Sequence, residues 1–145
     1  MQTSLGWLLN RTAYGWRNVV DQYMKTLGLT QSGWMAMLHL NRSGEGCSQK
    51  ELAHEIGIEQ PTLQRTMNAL VEAGYIRREK CPHDARRKTL WFTAPGSQLL
   101  AKMETQASAA REAMLAGLNE QEREQLHALL SRVLDNAHLK QAGKR

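Results

Sequence analysis

The sequence predicts a mainly α-helical protein with one small β-hairpin. Apolar residues recur at helical spacing over most of the chain. Residues 75–93 instead contain two short runs of strand-forming residues on either side of a polar tip. A capping sequence, a glycine turn and a helix that begins with proline stand directly before this hairpin, at residues 48–61. This order of elements is typical of a winged helix-turn-helix, so we predict that fold, flanked by long N- and C-terminal helices.

Long helices are predicted at both ends of the chain. The first runs from about residue 4 to 27 and ends near Gly28. The fifth runs from Thr93 to about Gly117, and the sixth begins at the capping pair Asn119 and Glu122. Their apolar stripes can be buried against a second copy of the chain. The core of one copy therefore need not be self-sufficient.

Three local signals predict the helix-turn-helix itself. Turn residues at 41–46 predict a loop, after which Ser48 and Glu51 have the spacing of a capping box. Gly57 is expected to end the third helix and to allow a tight turn. Pro61 fits the first turn of a fourth helix, where its missing N–H costs nothing. The apolar stripe of that helix is predicted to consist of Leu63, Met67, Leu70 and Val71.

Most of the excess positive charge lies in the hairpin. Its strands are predicted at Tyr75–Lys80 and Lys88–Thr93, separated by a tip at residues 81–87. Residues 75–93 hold six cationic and two acidic side chains, which is +4 of a formal net charge of +5. Clustered positive charge indicates an anionic partner, usually nucleic acid. A solvated charged face is the alternative.

The composition narrows the function classes. The 145 residues are 41% hydrophobic and 23% charged, as in an ordinary soluble domain. The sequence contains no membrane span and no secretory signal. It also contains no glycine-rich phosphate loop and no hydrolase motif, so an enzyme is not expected. The two cysteines indicate reduced thiols in the cytoplasm. No cofactor is predicted, and no metal either, because the five histidines have no ligand spacing: His39, His54, His83, His127 and His138.

The fourth helix has the composition of a base-reading helix. Gln and Asn can pair with adenine, Arg with guanine, and Thr can contact the methyl group of thymine. Such helices contact bases mainly through their N-terminal half. A solvent-facing polar side is the alternative. The predicted DNA contacts are Ser48 at the start of the third helix and Gln60, Pro61, Thr62, Gln64, Arg65 and Asn68 on the fourth.

The hairpin tip contains the sequence Asp84-Ala-Arg86. An arginine in a narrow minor groove meets strong negative potential. We expect the Asp84 carboxylate to orient the Arg86 guanidinium before DNA arrives, which lowers the entropy lost on binding. Arg87 and Lys88 are predicted phosphate contacts. An exposed ion pair of little energetic value is the alternative.

The sequence resembles the MarR family of bacterial transcription regulators, and within it the SlyA-like branch. The resemblance rests on Glu-Gln-Pro-Thr62 at the start of the fourth helix, Asp-x-Arg86 in the hairpin and Leu-Trp-Phe-Thr93 after it. It implies a homodimer, with residues 1–30 and 94–145 as the dimerisation region and residues 31–93 as the DNA-binding lobe of one structural domain. Each lobe would place its fourth helix in a major groove of a pseudo-palindromic operator and its wing in the adjacent minor groove. The protein would be cytoplasmic and at the nucleoid when bound, with repression the commoner mode.

The resemblance also implies a response to a small aromatic acid or phenol. Such ligands bind family members between the dimerisation region and the DNA-binding lobe. An aromatic crevice with one or two cations suits an aromatic carboxylate. A core role for both tryptophans is the alternative. The candidate residues are Tyr14, Trp16, Arg17, Trp34 and His39.

The sequence leaves the roles of two hairpin residues, Trp91 and Cys81, undecided. Period-two alternation turns Trp91 outward, where it can cover the hairpin, contact the dimerisation region, lie near a DNA sugar or pack on the core. Cys81 stands near Arg78 and Lys80, which can lower a thiol pKa, so it is either a thiol sensor or a small edge residue. Peroxide-sensing relatives carry their cysteine in the first helix, where this chain has none.

Three function classes follow. The first is a sequence-specific DNA-binding regulator acting as a dimer. The second is an architectural DNA binder with little base preference, which would share the charge and the fold. The third uses the winged helix as a protein docking surface.

Overall fold

The computed structural model describes residues 4–143, apart from the side chain of Ala85. The described residues form six helices and one two-stranded sheet, which confirms the mainly α fold with a small hairpin. The elements in chain order are α1 (Leu5–Lys25), α2 (Gln31–Ser43), α3 (Gln49–Ile56), α4 (Gln60–Glu72), β1 (Ile76–Cys81), β2 (Asp84–Phe92), α5 (Ala94–Met114) and α6 (Glu120–Ala142). None of the helices in this part of the chain is long and apolar enough to cross a membrane.

The helix-turn-helix forms where it was predicted. The Ser48 hydroxyl accepts a hydrogen bond from the Glu51 amide at 3.1 Å, and Gly57 ends α3 with a φ of 83°. Pro61 lies in the first turn of α4. The other half of the capping box was predicted wrongly, because the Glu51 carboxylate accepts from Arg87 instead. The predicted loop at 41–46 also begins too early, since α2 continues to Ser43.

The hairpin has a longer second strand and a shorter tip than predicted, while β1 keeps its predicted length of six residues and begins one residue later. Strands β1 and β2 pair antiparallel from Ile76 opposite Phe92 to Cys81 opposite Asp84, with an irregularity after Lys80. Only residues 82 and 83 form the turn. The predicted tip of seven residues is therefore wrong, and the cations from Arg86 onward lie on a strand. Hydropathy did not reveal this part of β2, because both of its faces are polar.

Strand β2 is paired on both sides near its end. The Gly46 amide donates to the Leu90 carbonyl at 2.8 Å, and the Leu90 amide donates to the Cys47 carbonyl at 3.0 Å. Ser48 forms an isolated bridge with Thr89. The loop before α3 is thus hydrogen-bonded to the wing.

The hydrophobic core packs against one side of α4. Leu63 and Met67 of α4 are fully buried, as are Ile76 of β1 and Leu90 of β2. Leu70 is also buried, whereas Val71 is only half-buried. The buried stripe leaves the opposite side of α4 exposed. The same core cluster includes Met24, Met37, Leu40, Leu52 and Met103.

The described residues group into two compact units, whose boundary falls between Arg111 and Glu112, inside α5. In the second unit, α6 begins at a complete capping box of Asn119 and Glu122, as predicted. No residue of α6 in the described range is buried. Its exposed large apolar side chains are Leu126, Leu129, Leu130, Val133, Leu134 and Leu139. The predicted division into a dimerisation region and a DNA-binding lobe stays a prediction; its residues 1–3 and 144–145 lie outside the described range.

The start of α5 is held against the end of α4. The Thr93 hydroxyl donates to the Gly74 carbonyl at 2.5 Å and accepts from the Gly96 amide at 3.0 Å. A Cβ at Gly96 would clash with the backbone carbonyl of Tyr75. Only glycine therefore allows this close approach.

Gly96→Ala should lower the free energy of unfolding by about 1–3 kcal/mol, the usual cost of overpacking a closed site. Urea denaturation at one fixed protein concentration measures the change. Gly6→Ala is the matched control, because Gly6 is exposed on α1 with nothing within 4 Å of an added Cβ. Equal stability of both variants would contradict the proposed clash.

Candidate nucleic-acid interface

A polar recess of about 550 Å³ lies between the start of α3, the start of α4 and β2. Four cations and two carboxylates line it, so its charge is net positive. The structure therefore places two of the predicted helix contacts, Gln60 and Gln64, on one face with the predicted wing residues. The lining residues are Ser48, Gln49, Lys50, Glu51, Gln60, Gln64, Asp84, Arg86, Arg87 and Lys88.

The other four predicted contacts of α4 do not line this recess. Pro61 is exposed at the start of the helix, and Asn68 is exposed one turn after Gln64. Thr62 and Arg65 line a second, more apolar recess of about 490 Å³ on the other flank of α4. The exposed side of α4 thus separates two recesses.

A closed ring of hydrogen bonds joins α3, α4 and β1 beside the polar recess. Arg78 donates from Nη2 to Asn68 Oδ1 at 2.8 Å and from Nε to Gln49 Oε1 at 3.3 Å. Gln49 Nε2 donates to Gln64 Oε1, and Gln64 Nε2 donates to Asn68 Oδ1 at 3.2 Å. Two predicted base-reading side chains, Gln64 and Asn68, are therefore held in place before any ligand arrives.

The aspartate of the Asp-x-Arg sequence acts on the backbone. Asp84 Oδ1 accepts from the Arg86 amide at 3.0 Å. Among the described ion pairs, none joins Asp84 to the Arg86 guanidinium, which corrects the expected orienting contact. Asp84 directly follows the turn, where an aspartate often accepts from the backbone amide two residues further on.

Arg87, a predicted phosphate contact, is already paired. Its guanidinium donates to the Glu51 carboxylate at the start of α3. Both side chains are about half exposed. DNA phosphate would therefore compete with Glu51 for this cation, while Arg86 and Lys88 are exposed on the same strand.

Ser48 is placed differently from the other predicted contacts. It is only 4% exposed, and its hydroxyl caps α3. Its hydroxyl therefore has a structural role, and a direct DNA contact by this side chain, which also lines the recess, stays a prediction. The spacing of Ser48 and Glu51, which predicted a helix cap in the sequence, accounts for this role of Ser48.

The five predicted ligand residues do not line either recess. Trp34 is buried in the core and donates from Nε1 to Asp21 Oδ1 at 2.9 Å, so the core alternative is correct for it. Trp16 is half-buried against the core, and Arg17 is exposed. The pKa of His39 is lowered by burial and, secondarily, by the Arg42 charge. Tyr14 is exposed on α1, with the Arg11 guanidinium 5.5 Å from its ring centre.

Trp91 covers the base of the hairpin. Its ring lies so near Gly46 that a Cβ there would be 3.2 Å from Trp91 Cζ2. Trp91 Nε1 donates to Thr89 Oγ1 at 2.9 Å, and the Arg77 guanidinium lies 5.4 Å from the ring centre. Of the alternatives for this residue, the contact with the hairpin is the one that the chain shows.

The two cysteines, Cys47 and Cys81, are free thiols that do not form a disulfide. Burial raises the pKa of the Cys47 thiol, which disfavours the reactive thiolate. Cys81 is half-buried at the end of β1, and its role as a sensor stays a prediction. No group of three metal-ligating side chains occurs within the described residues.

Sequence reasoning missed four residues of this face: Gln49, Lys50, Glu51 and Arg78. The first three form the first turn of α3, directly after a cap that was recognised. Arg78 was counted only as a charge. Its contact with Asn68 and Gln49 depends on how β1 crosses the helices, which no local spacing reveals.

The helix-turn-helix, the paired wing and the basic face between them define a winged-helix protein of the kind that binds nucleic acid. A sequence model of the MarR family matches residues 27–87. The chain is 35% identical to the transcriptional regulator PA3341, whose crystal structure has a TM-score of 0.83 over 93% of this chain and 98% of that one. The chain therefore belongs to the MarR family of transcriptional regulators.

Two further structures show how widely the fold is shared. A MarR-family transcriptional regulator from Silicibacter pomeroyi is 26% identical, with a TM-score of 0.76 over 90% of this chain and 88% of that one. The apo form of wild-type MarR from E. coli is 19% identical, with a TM-score of 0.82 over 92% of this chain and 98% of that one. At that identity the likeness concerns the fold alone.

Proposed function

We propose that the protein is a homodimeric, sequence-specific DNA-binding transcriptional regulator. The observation that carries the proposal is the recess between α3, α4 and β2, where exposed amides of the helix and cations of the wing share one face. Amides can read base edges, and cations neutralise phosphate. The assignment to the SlyA-like branch stays a prediction from the sequence motifs.

The two parts of this face suit two grooves. Helix α4 is exposed along the side opposite Leu63 and Met67, so it can enter a major groove while the core holds it from behind. The hairpin extends from that core as a paired ribbon with Arg86 near its turn, which suits a minor groove. Lys50 on α3 and Arg87 and Lys88 on β2 line the recess between helix and wing, which supports a role for them as phosphate contacts.

A second copy is required for specificity. One short helix reads few base pairs, whereas a two-fold dimer reads two half-sites about 34–36 Å apart. The exposed apolar stripe of α6 supplies a surface that a partner copy can bury. The predicted dimerisation through residues 1–30 and 94–145 is therefore part of the proposal, and so is a cytoplasmic location.

Regulation by a small aromatic acid or phenol has a second candidate location besides the predicted crevice. The apolar recess on the other flank of α4 includes Leu29, Leu70 and Tyr75, with the cation Arg65. This composition suits an aromatic carboxylate. A ligand there would contact α4 directly and could favour a spacing of the two helices that does not fit DNA.

Selection of bound sites from a random duplex library tests the proposed function. The expected result is a pseudo-palindrome whose half-sites are one helical turn apart. A similar affinity for all duplexes would instead indicate an architectural DNA binder. An absence of duplex binding at low salt would indicate a protein docking surface.

Arg86→Ala should weaken binding to the selected site by roughly five- to 150-fold, because a specific arginine contact contributes about 1–3 kcal/mol. Fluorescence anisotropy with a labelled duplex measures the affinity, and circular dichroism checks the fold. Lys102→Ala, on the exposed side of α5, removes the same charge outside the recess. An unchanged affinity of the Arg86 variant would exclude the wing contact.

Glu51→Gln should tighten DNA binding by roughly two- to fivefold, since the Arg87 pair that it breaks is exposed and contributes about 0.2–1 kcal/mol. The released cation should also steepen the dependence of affinity on salt. Titrations at several salt concentrations measure both effects. Glu55→Gln is the control on the same helix, because Glu55 is exposed but does not line the recess. Equal gains from both variants would show a general charge effect and contradict a specific role of the pair.

A further inference from the structure

The hydrogen-bond ring of Gln49, Gln64, Asn68 and Arg78 contains three side-chain amides and one guanidinium. An amide has one accepting end and one donating end, and each can in principle be turned around. A guanidinium has five N–H donors and no acceptor. Arg78 is therefore the only member of this ring whose hydrogen-bond polarity cannot be reversed.

Arg78 sets the direction of every amide in the ring. Its Nη2 requires an oxygen at the facing end of Asn68, and its Nε requires an oxygen at the facing end of Gln49. The nitrogen of Gln49 must then point to Gln64 and meet its oxygen. The nitrogen of Gln64 is left to donate to Asn68, where it again meets the oxygen that Arg78 selected. Every donor in the ring thus meets an acceptor, and no two donors or two acceptors face each other.

The ring leaves different groups free on its two base-reading members. Asn68 Oδ1 accepts from both Gln64 and Arg78, which occupies both of its lone pairs. The Asn68 amide nitrogen has no hydrogen-bond partner within residues 4–143. Gln64 keeps one N–H and one lone pair. Asn68 thus offers only donors, whereas Gln64 offers a donor and an acceptor.

We propose that Arg78 is a specificity-determining positioning residue, which acts by presenting Asn68 to DNA as a donor only. The inference rests on the proposed function. Guanine presents two acceptors in the major groove, whereas cytosine presents a donor there. Asn68 should therefore select a base with a major-groove acceptor, such as guanine, and reject cytosine. Gln64 stays compatible with adenine, which needs one donor and one acceptor.

The surroundings of Arg78 support a fixed orientation. The side chain is half-buried between β1 and the helices, and burial lowers the pKa of its guanidinium. Its bond to Asn68 is short and charge-assisted, and such bonds are stronger than those between neutral groups. If Asn68 turned around, its amino group would face the guanidinium and this bond would be lost.

Arg78→Met tests the proposal, because methionine keeps much of the side-chain length but has no donor. Lys80→Met is the matched control, since Lys80 is an exposed cation two residues further along β1 and outside the ring. Site selection from a random duplex library is carried out with the wild type and both variants. One position in each half-site should prefer an acceptor-bearing base in the wild type. Its discrimination against cytosine should fall by about tenfold in the Arg78 variant, within the range that one good base contact gives.

The control should keep that base preference even if its overall affinity falls. Unchanged preferences in the Arg78 variant would overturn the proposal, because they would show that Asn68 does not depend on Arg78. Equal losses in both variants would overturn it as well, since they would reflect charge alone.

Asn68→Asp provides a second test that does not disturb Arg78. Asn68 is exposed, and the substitution replaces its free amino group by an oxygen that accepts hydrogen bonds. The preferred base at the same position should change toward cytosine, whose amino group a carboxylate accepts. The same preference in wild type and variant would overturn the proposal. A wild-type protein that selects no sequence at all would instead refute the proposed function, so the two failures are distinct.

Discussion

Leu90 is the residue on which the arrangement of the wing depends. Its side chain is fully buried, and its backbone amide and carbonyl both bond to the loop before α3. Across the hairpin it lies opposite Arg78. A slip of one residue along β2 would turn its side chain to the other face of the strand, which the core does not allow. The register of the wing, the start of α3 and the position of Arg78 therefore all depend on the buried side chain and the backbone hydrogen bonds of this one residue.

The cations of the basic face are partly neutralised within the chain. Arg87 is paired with Glu51 and Arg77 with Glu79, while Arg78 is surrounded by amides. These contacts hold long side chains in one geometry and reduce the repulsion of a crowded positive surface. Binding to phosphate then exchanges one anionic partner for another, which makes the gain from each cation smaller than its charge suggests.

Much of the fold could be predicted because its signals are local. The cap at Ser48, the turn at Gly57 and the proline at position 61 each act within a few residues, and all three lie where they were expected. The second half of β2 was recognised from its apolar residues, whereas its first half was taken for a loop because it has no buried face to mark it. The role of Glu51 shows the same limit, since its partner Arg87 is far away in sequence.

The candidate site was predicted in its composition more than in its contacts. Residues of α4 and of the wing do share one face, as the charge and the helix pattern indicated. The partners of those residues could not be predicted, because they depend on which side chains β1 brings near α3 and α4. The proposed ligand residues show the converse problem: Trp34 has the composition of an aromatic wall but fills the core, where its N–H is satisfied by Asp21.

The contact between Trp91 and Gly46 has a consequence for the evolution of this chain. Gly46 has a φ of 91°, and the indole of Trp91 occupies the space that a side chain there would need. A side chain at position 46 would therefore be strained by the backbone conformation and would also press on the indole. Position 46 is therefore expected to remain glycine among descendants of this protein whatever residue they carry at position 91, whereas position 91 is free to become smaller without a conflict at position 46.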